Sequence, residues 1–262
     1  MSLVTTSIDR TSNIATVTVN RPDALNAINV EVAQGICDAM VPLIDEPNLR
    51  AVIFRGEGRA FMAGGDLAKF AEDFSKAPET ADALLDPLDP AVQAIRAIKA
   101  PVIASVHGAV AGAGLSLMAA CDLVIAAEGT RFMLAYNRVA AVPDAGGSWF
   151  LPRLLGTRMV TEMMMLDTAL DTDAALKYGL VNRVVPADQL AQATQEMAEK
   201  VAKGPTQAFG LFKKLVDSAF TQPLKQQLAD ERVSFKATAR TDDFRTGVTA
   251  FLNKGKAIFS GK

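Results

Sequence analysis

The chain has 262 residues, half of them hydrophobic, with 27 basic and 29 acidic side chains and a formal charge of −2. That length suits one large domain, or one domain with a small appendage. The near-even charge balance gives no general attraction to nucleic acid or to an anionic membrane, so neither is expected as a partner. Only 6% of residues are aromatic while 18 are glycine, which fits a densely packed α/β or α+β protein and not a disordered one.

At the start, MSLVTTSIDR lacks the charged-then-apolar order of a secretory signal, and the closing IFSGK is not a peroxisomal address, so a cytoplasmic location is the simplest expectation. IATVTVN (14–20) alternates with a period of two and predicts a strand. NVEVAQGICDAMVPLID (29–45) carries apolar residues at helical spacing, and AVIFRG (51–56) is a short β-rich run. The segment 71–90, AEDFSKAPETADALLDPLDP, mixes acids with prolines and predicts a mobile surface excursion. A helix is predicted over 91–100, followed by strands at 101–108 and 122–127. Between those strands, GAGLSLMAAC (112–121) is apolar all round, as a buried helix would be. The window from 108 to 127 is long enough to cross a bilayer, but Asp122 and its clustered glycines read as a turn, a helix and a strand. After about residue 145 the pattern becomes helical, with one short strand at 181–185. Cys37 and Cys121 match no metal-ligand spacing, and reduced thiols and no bound metal are expected.

Two glycine turns draw attention. GRAFMAGGDLAKF (58–70) follows a strand and places Ala63, Gly64 and Gly65 ahead of Asp66; small residues let a ligand oxygen approach backbone N–H groups. HGAVAGAG (107–114) does the same before the apolar helix, and it lacks the spacing of a dinucleotide fingerprint. Two such turns can aim two N–H groups at one carbonyl oxygen and stabilise an enolate. Each is also readable as an ordinary strand-to-helix turn, with Asp66 as a cap. His107, the only histidine, reads as structural. Asp144, in AAVPDAGGSW, is either the cap of the following helix or an acid at an apolar pocket. Asp122, Glu128 and Glu162 suit caps or solvated faces.

NRPDALNAIN (20–29), FMAGGDL (61–67), VHGAVAGAGLSLMAACDLVIA (106–126), VPDAGGSWFLPRLLG (142–156) and ALKYGLVNRVV (175–185) together resemble the crotonase, or enoyl-CoA hydratase/isomerase, superfamily, over essentially the whole chain. The resemblance implies an α/β fold: a ββα spiral core over 1–200 that holds the CoA-binding and active site, and a helical region over 201–262 that covers the site and builds a homotrimer or dimer of trimers. It implies an acyl-CoA thioester as substrate, with no separate cofactor, and a backbone oxyanion hole at Ala63 and Ala113. CoA contacts carry over to Ala24, Leu25, Asp66 and Leu67. Where the superfamily's hydratases have two glutamates, this chain has Ser116 and Tyr136, neither of which activates water at neutral pH, and hydration is disfavoured.

Asp144 stands where some acyl-CoA isomerases of the superfamily carry their acting carboxylate, including the ring-opening isomerase of phenylacetate breakdown. The expected activity is therefore enoyl-CoA isomerisation, with Asp144 as base and acid and Ser116, Tyr136 and Val139 lining the acyl pocket. Burial is expected to raise the Asp144 pKa against the pull of the helix dipole. Two other readings stand beside it: a dehalogenase or thioesterase with Asp144 as nucleophile, and a CoA-binding relative without catalysis. Lys254 and Lys256 read as a solvated tail, with the CoA phosphates of a neighbouring subunit as the other possibility.

Overall fold

The computed structural model describes residues 2–262. The alternating run at 14–20 forms strand β2 (Ile14–Val19), which pairs antiparallel with β1 (Val4–Asp9), a strand the sequence reading did not anticipate. Every later addition to this sheet is parallel: β3 (Ala51–Gly56), β4 (Val102–Val106), β6 (Leu123–Ala127) and β8 (Arg183–Val185), in the order β1-β2-β3-β4-β6-β8. Parallel neighbours need crossover connections, and the helices supply them. A small parallel pair, β5 (Ala109–Ala111) with β7 (Arg131–Met133), stands apart from the main sheet.

The first crossover is α1 (Val30–Met40), capped by Asn29, whose side chain accepts the Val32 N–H at 2.9 Å. The helical pattern predicted to run to residue 45 tightens at Val41, because Pro42 cannot supply an N–H, and finishes as a 3-10 turn over Val41–Ile44.

The surface excursion predicted over 71–90 is a correction. After α2 (Ala68–Glu72) and a 3-10 turn at Phe74–Lys76, the chain runs as one long helix, α3 (Ala77–Ala97), straight through Pro87 and Pro90. Each internal proline removes a backbone donor, at a cost of about 3 kcal/mol in an exposed helix. The apolar stripe of Leu84, Leu88, Ala91 and Ile95 outweighs that cost by burying itself against α1 and the core. The helix predicted at 91–100 is its C-terminal half.

Alternation along the strands sorts residues between two layers. Val52 and Phe54 of β3 enter the main core with α1, α3 and the wholly buried α4 (Ala113–Ala120). Ala51 and Ile53 face the other way and pack with Ile14, Ile103 and Ala198 of α8 (Leu190–Ala202). The remaining helices are α5 (Gly147–Leu155), α6 (Thr157–Met165), α7 (Thr172–Lys177), α9 (Thr206–Ala219), α10 (Leu224–Thr238) and α11 (Asp242–Leu252).

The helical end is fastened to the core by buried charge. Asp122, read from sequence as a cap or a solvated side chain, instead accepts from Arg96 at 2.9 Å and from Lys213 of α9 at 2.8 Å, and Arg96 also pairs with Asp217 at 3.0 Å. Lys213 completes its bonds on the carbonyls of Ile95 and Ile98. Both cysteines are free thiols, and among the described residues no helix is long and apolar enough to cross a membrane.

Candidate active site

The two glycine turns meet. Met62 and Val110 form a parallel bridge, with Ala111 N–H donating to Met62 at 2.9 Å. Beyond it the backbones touch: a Cβ on Gly112 would stand 3.2 Å from the Gly64 Cα, and both residues have positive φ, 102° at Gly64 and 52° at Gly112. Side chains at either position would separate the turns.

Of the two predicted amide donors, one is free. Ala113 is the first residue of α4, where helix geometry leaves the N–H without an internal partner, and among the described residues nothing accepts it. The Ala63 N–H is engaged by the Leu25 carbonyl at 3.1 Å. A thioester oxygen at this point has to share or displace that bond. The Leu25 carbonyl is brought there by an unusual loop in which Leu25 and Asn26 both have left-handed backbones, φ 52° and 56°. Asn26 pins the loop: fully buried, it donates to the carbonyls of Glu57 and Ala60 and accepts the Arg21 N–H, each at 2.8 Å. Its role was not foreseen, although asparagine is one of the few residues that enter the left-handed region readily.

The four residues carried over as CoA contacts gather on this rim. Ala24 and Leu25 are half-buried at the end of a 3-10 turn, Pro22–Ala24. Asp66 accepts the Ala68 N–H at 3.1 Å and pairs with Arg21 at 2.7 Å, and those two bonds, the backbone one foremost, hold its pKa below the usual aspartate value. Leu67 is half exposed beside it.

Asp144 does not cap α5. That place is taken by Gly146, with φ 79°, and the Asp144 side chain turns instead to Tyr136, whose hydroxyl donates to Oδ1 at 2.5 Å. Ser116, fully buried on α4, lies against the same turn: a Cβ on Gly147 would stand 2.4 Å from its Oγ, so only glycine fits there. Tyr136 is 8% exposed, and its ring lies 4.0 Å from the position a Gly112 side chain would take, which joins the carboxylate to the paired turns. Val139, expected to line the acyl pocket, is 47% exposed at the end of the turn that begins with Tyr136. The segment is strained: Ala135, Ala140 and Ala145 all hold left-handed backbones at φ 59°, 53° and 47°. Each costs about 1 kcal/mol or more, and such strain collects at functional sites.

Burial is the main influence on Asp144 and raises its pKa, as expected; the Tyr136 hydrogen bond opposes it and the charge of Asp89 adds to it. Asp89 lies on α3, within the segment read as a surface excursion, and was missed for that reason. Its helix reaches the site through Val92, whose side chain lies 3.6 Å from the Cβ position of Gly146. His107 is structural as read, bonded to the Gly58 carbonyl at 2.9 Å. Lys254 and Lys256 are exposed. No cluster of three potential metal ligands occurs among the described residues.

The match to known proteins is broad. Residues 9–262 fit the family model described as enoyl-CoA hydratase/isomerase. The chain belongs to the enoyl-CoA hydratase/isomerase family. It is 34% identical to 1,2-epoxyphenylacetyl-CoA isomerase of Escherichia coli over 95% of each chain. It is also 34% identical over the full length of each to a protein of Rhodobacter capsulatus named a probable enoyl-CoA hydratase. The crystal structure of an enoyl-CoA hydratase from Polaromonas sp. JS666 superposes with a TM-score of 0.91 at 32% identity, covering 98% of this chain and 99% of that one. Isomerases and hydratases thus stand equally near within the family, and the side chains have to separate them.

The paired turns make a testable demand on one glycine. A Cβ on Gly114 would lie 2.6 Å from both the Cβ and the carbonyl oxygen of Met62. Gly114→Ala is therefore expected to push α4 and its Ala113 N–H away from the Ala63 turn. Thermal denaturation should show a loss of about 1–3 kcal/mol, with activity falling further than stability accounts for.

Proposed function

We propose that this protein is an acyl-CoA isomerase that moves a double bond from the Δ3 to the Δ2 position of an enoyl thioester, or performs a related isomerisation on a ring-derived acyl-CoA. The observation that carries the reading is the half-buried Asp144 carboxylate, raised in pKa and held by Tyr136, in a site whose two other candidate acid positions hold hydroxyls. Asp144 takes a proton from the carbon next to the thioester carbonyl, and the C–H electron pair moves into the enolate. The enolate oxygen rests on the Ala113 N–H and on the Ala63 N–H once Leu25 yields it. The carboxyl then returns its proton to the fourth carbon, which leaves the double bond conjugated and the carboxylate restored.

Water is not consumed, and neither Ser116 nor Tyr136 activates it at neutral pH: burial and the neighbouring Asp144 charge push the Tyr136 pKa further up from its ordinary value. CoA contacts fall to Ala24, Leu25, Asp66 and Leu67. The exposed apolar side chains of α10 and α11, including Leu228, Phe235, Phe251 and Leu252, fit a homotrimer or a dimer of trimers. No separate cofactor is part of the scheme, and the cytoplasm is its proposed location.

The test is a pair of absorbance assays. A 3-enoyl-CoA should gain conjugation in the presence of the protein, while a 2-enoyl-CoA should not lose it. Rapid loss of conjugation from the 2-enoyl thioester would mark a hydratase and overturn the reading. Release of halide or free CoA would favour Asp144 as a nucleophile, and inertness towards every acyl-CoA would favour a binding protein.

A further inference from the structure

Tyr136 is closed on both sides by one residue. Its oxygen accepts the Asp144 N–H at 3.3 Å, and its proton goes to Oδ1 of the same Asp144 at 2.5 Å. With a lone pair taken by the N–H, the O–H points at the carboxylate. Behind it the Ser116 hydroxyl faces the Gly112 carbonyl at 3.5 Å and is packed against Gly147, where a Cβ would stand 2.4 Å from its Oγ. The backbone mount is equally fixed: Tyr136 lies between left-handed Ala135 and Ala140, and its carbonyl accepts the Ala141 N–H at 3.0 Å.

From this geometry we infer that Tyr136 is a positioning residue: it takes Oδ1 of Asp144 out of the reaction and leaves Oδ2 as the single oxygen that removes and returns the substrate proton. The inference deepens the isomerase reading and rests on it. One oxygen that both takes and gives must work on one face of the acyl chain. The hydrogen lifted from the second carbon therefore reappears on the fourth, on the same side. Oδ1 keeps its bond to the phenol in both protonation states, so the side chain does not turn between the two half-reactions.

Two neighbours act on this carboxylate with opposite sign. Tyr136 favours its charged form, whereas the charge of Asp89 on α3 favours the protonated one; Ser116 on α4 is neutral. A residue of merely structural importance would not reproduce that opposition.

Tyr136→Phe and Asp89→Asn should be compared with the wild type in three measurements: kcat and KM for a 3-enoyl-CoA across pH, transfer of deuterium from the second to the fourth carbon, and carbon NMR titration of Asp144, its resonance assigned with Asp144→Asn. In Tyr136→Phe the Asp144 titration and the acid limb of the rate profile should move to higher pH. Its kcat should fall about 10- to 100-fold with KM little changed, and less deuterium should be carried across. In Asp89→Asn, an exposed position, the titration and the acid limb should move to lower pH. Wild-type titration and deuterium transfer in Tyr136→Phe would overturn the inference while leaving Asp144 as the base. Full turnover by Asp144→Asn would remove the isomerase reading and this inference together. The NMR titration needs no turnover, so it decides the Tyr136 bond even if the acyl group tested is the wrong one.

Discussion

Asp144→Asn should lower turnover of a 3-enoyl-CoA by about 10²- to 10⁴-fold, the usual worth of a placed acid or base. Asparagine keeps an oxygen for the Tyr136 hydroxyl and nearly the same volume, so the shape of the site survives and the loss falls on kcat. Stability should move the other way. Burial raises the Asp144 pKa in the folded protein above the ordinary value of 3.8, so the native state binds this proton more tightly than the unfolded chain does. Stability contributed by this group is greatest below 3.8 and declines as pH rises through the window up to the folded pKa. Above that window the ionised, half-buried carboxylate is a standing cost, which asparagine removes. Thermal denaturation at neutral pH should therefore find Asp144→Asn more stable than wild type, with the advantage vanishing in acid. A variant that is both inactive and less stable at neutral pH would point to a structural role.

Asp122→Asn should be the most damaging single change outside the site, costing about 3–5 kcal/mol. Asp122 holds Arg96 and Lys213 and accepts the Val102 N–H at 2.8 Å with the same carboxylate. Without its charge, two cations face one another, and Lys213 is only 6% exposed. Burial already pulls the Lys213 pKa down, while Asp122 is the main influence holding it up. In the variant that amine loses its partner, and the folded state binds its proton more weakly than the unfolded chain does. Stability then rises with pH, so the deficit should shrink in alkaline solution, and Lys213→Met placed on Asp122→Asn should restore part of it. Denaturant titrations of the single and double variants at neutral and alkaline pH measure both effects. Because Lys213 and Asp217 belong to α9, loosening here should also release the helical end from the sheet.

The legible parts of this chain were those where local chemistry and tertiary packing agree. Short β-rich runs bounded by turn residues became β2, β3, β4 and β6, and the all-apolar run became α4 with every residue buried. The segment carrying Pro87 and Pro90 was illegible because proline's local rule was overridden by a stripe that pays its way only once α1 is in place. Asp89 was lost with it, although its spacing three residues before Val92 would have placed it on the site-facing side of any helix drawn there. Ala63, Ala113 and Asp144 could be nominated from motif positions, but motif positions say nothing about occupancy. The Leu25 carbonyl on the Ala63 N–H, and the phenol on the Asp144 carboxylate, depend on loops whose left-handed alanines and leucine no propensity would favour.

The tight fit of Ser116 against Gly147 bears on redesign. Rebuilding a water-adding catalyst by placing glutamates at 116 and 136 would crowd three acids around a space now filled by two hydroxyls and one carboxylate. The new side chain at 116 would run into the first turn of α5, which Gly147 packs so closely that a methyl group added there would stand 2.4 Å from the present oxygen. Conversion would have to begin by retiring Asp144 and reshaping the turn from Pro143 to Gly147, so the two chemistries are separated by a backbone rearrangement and not by a pair of point changes.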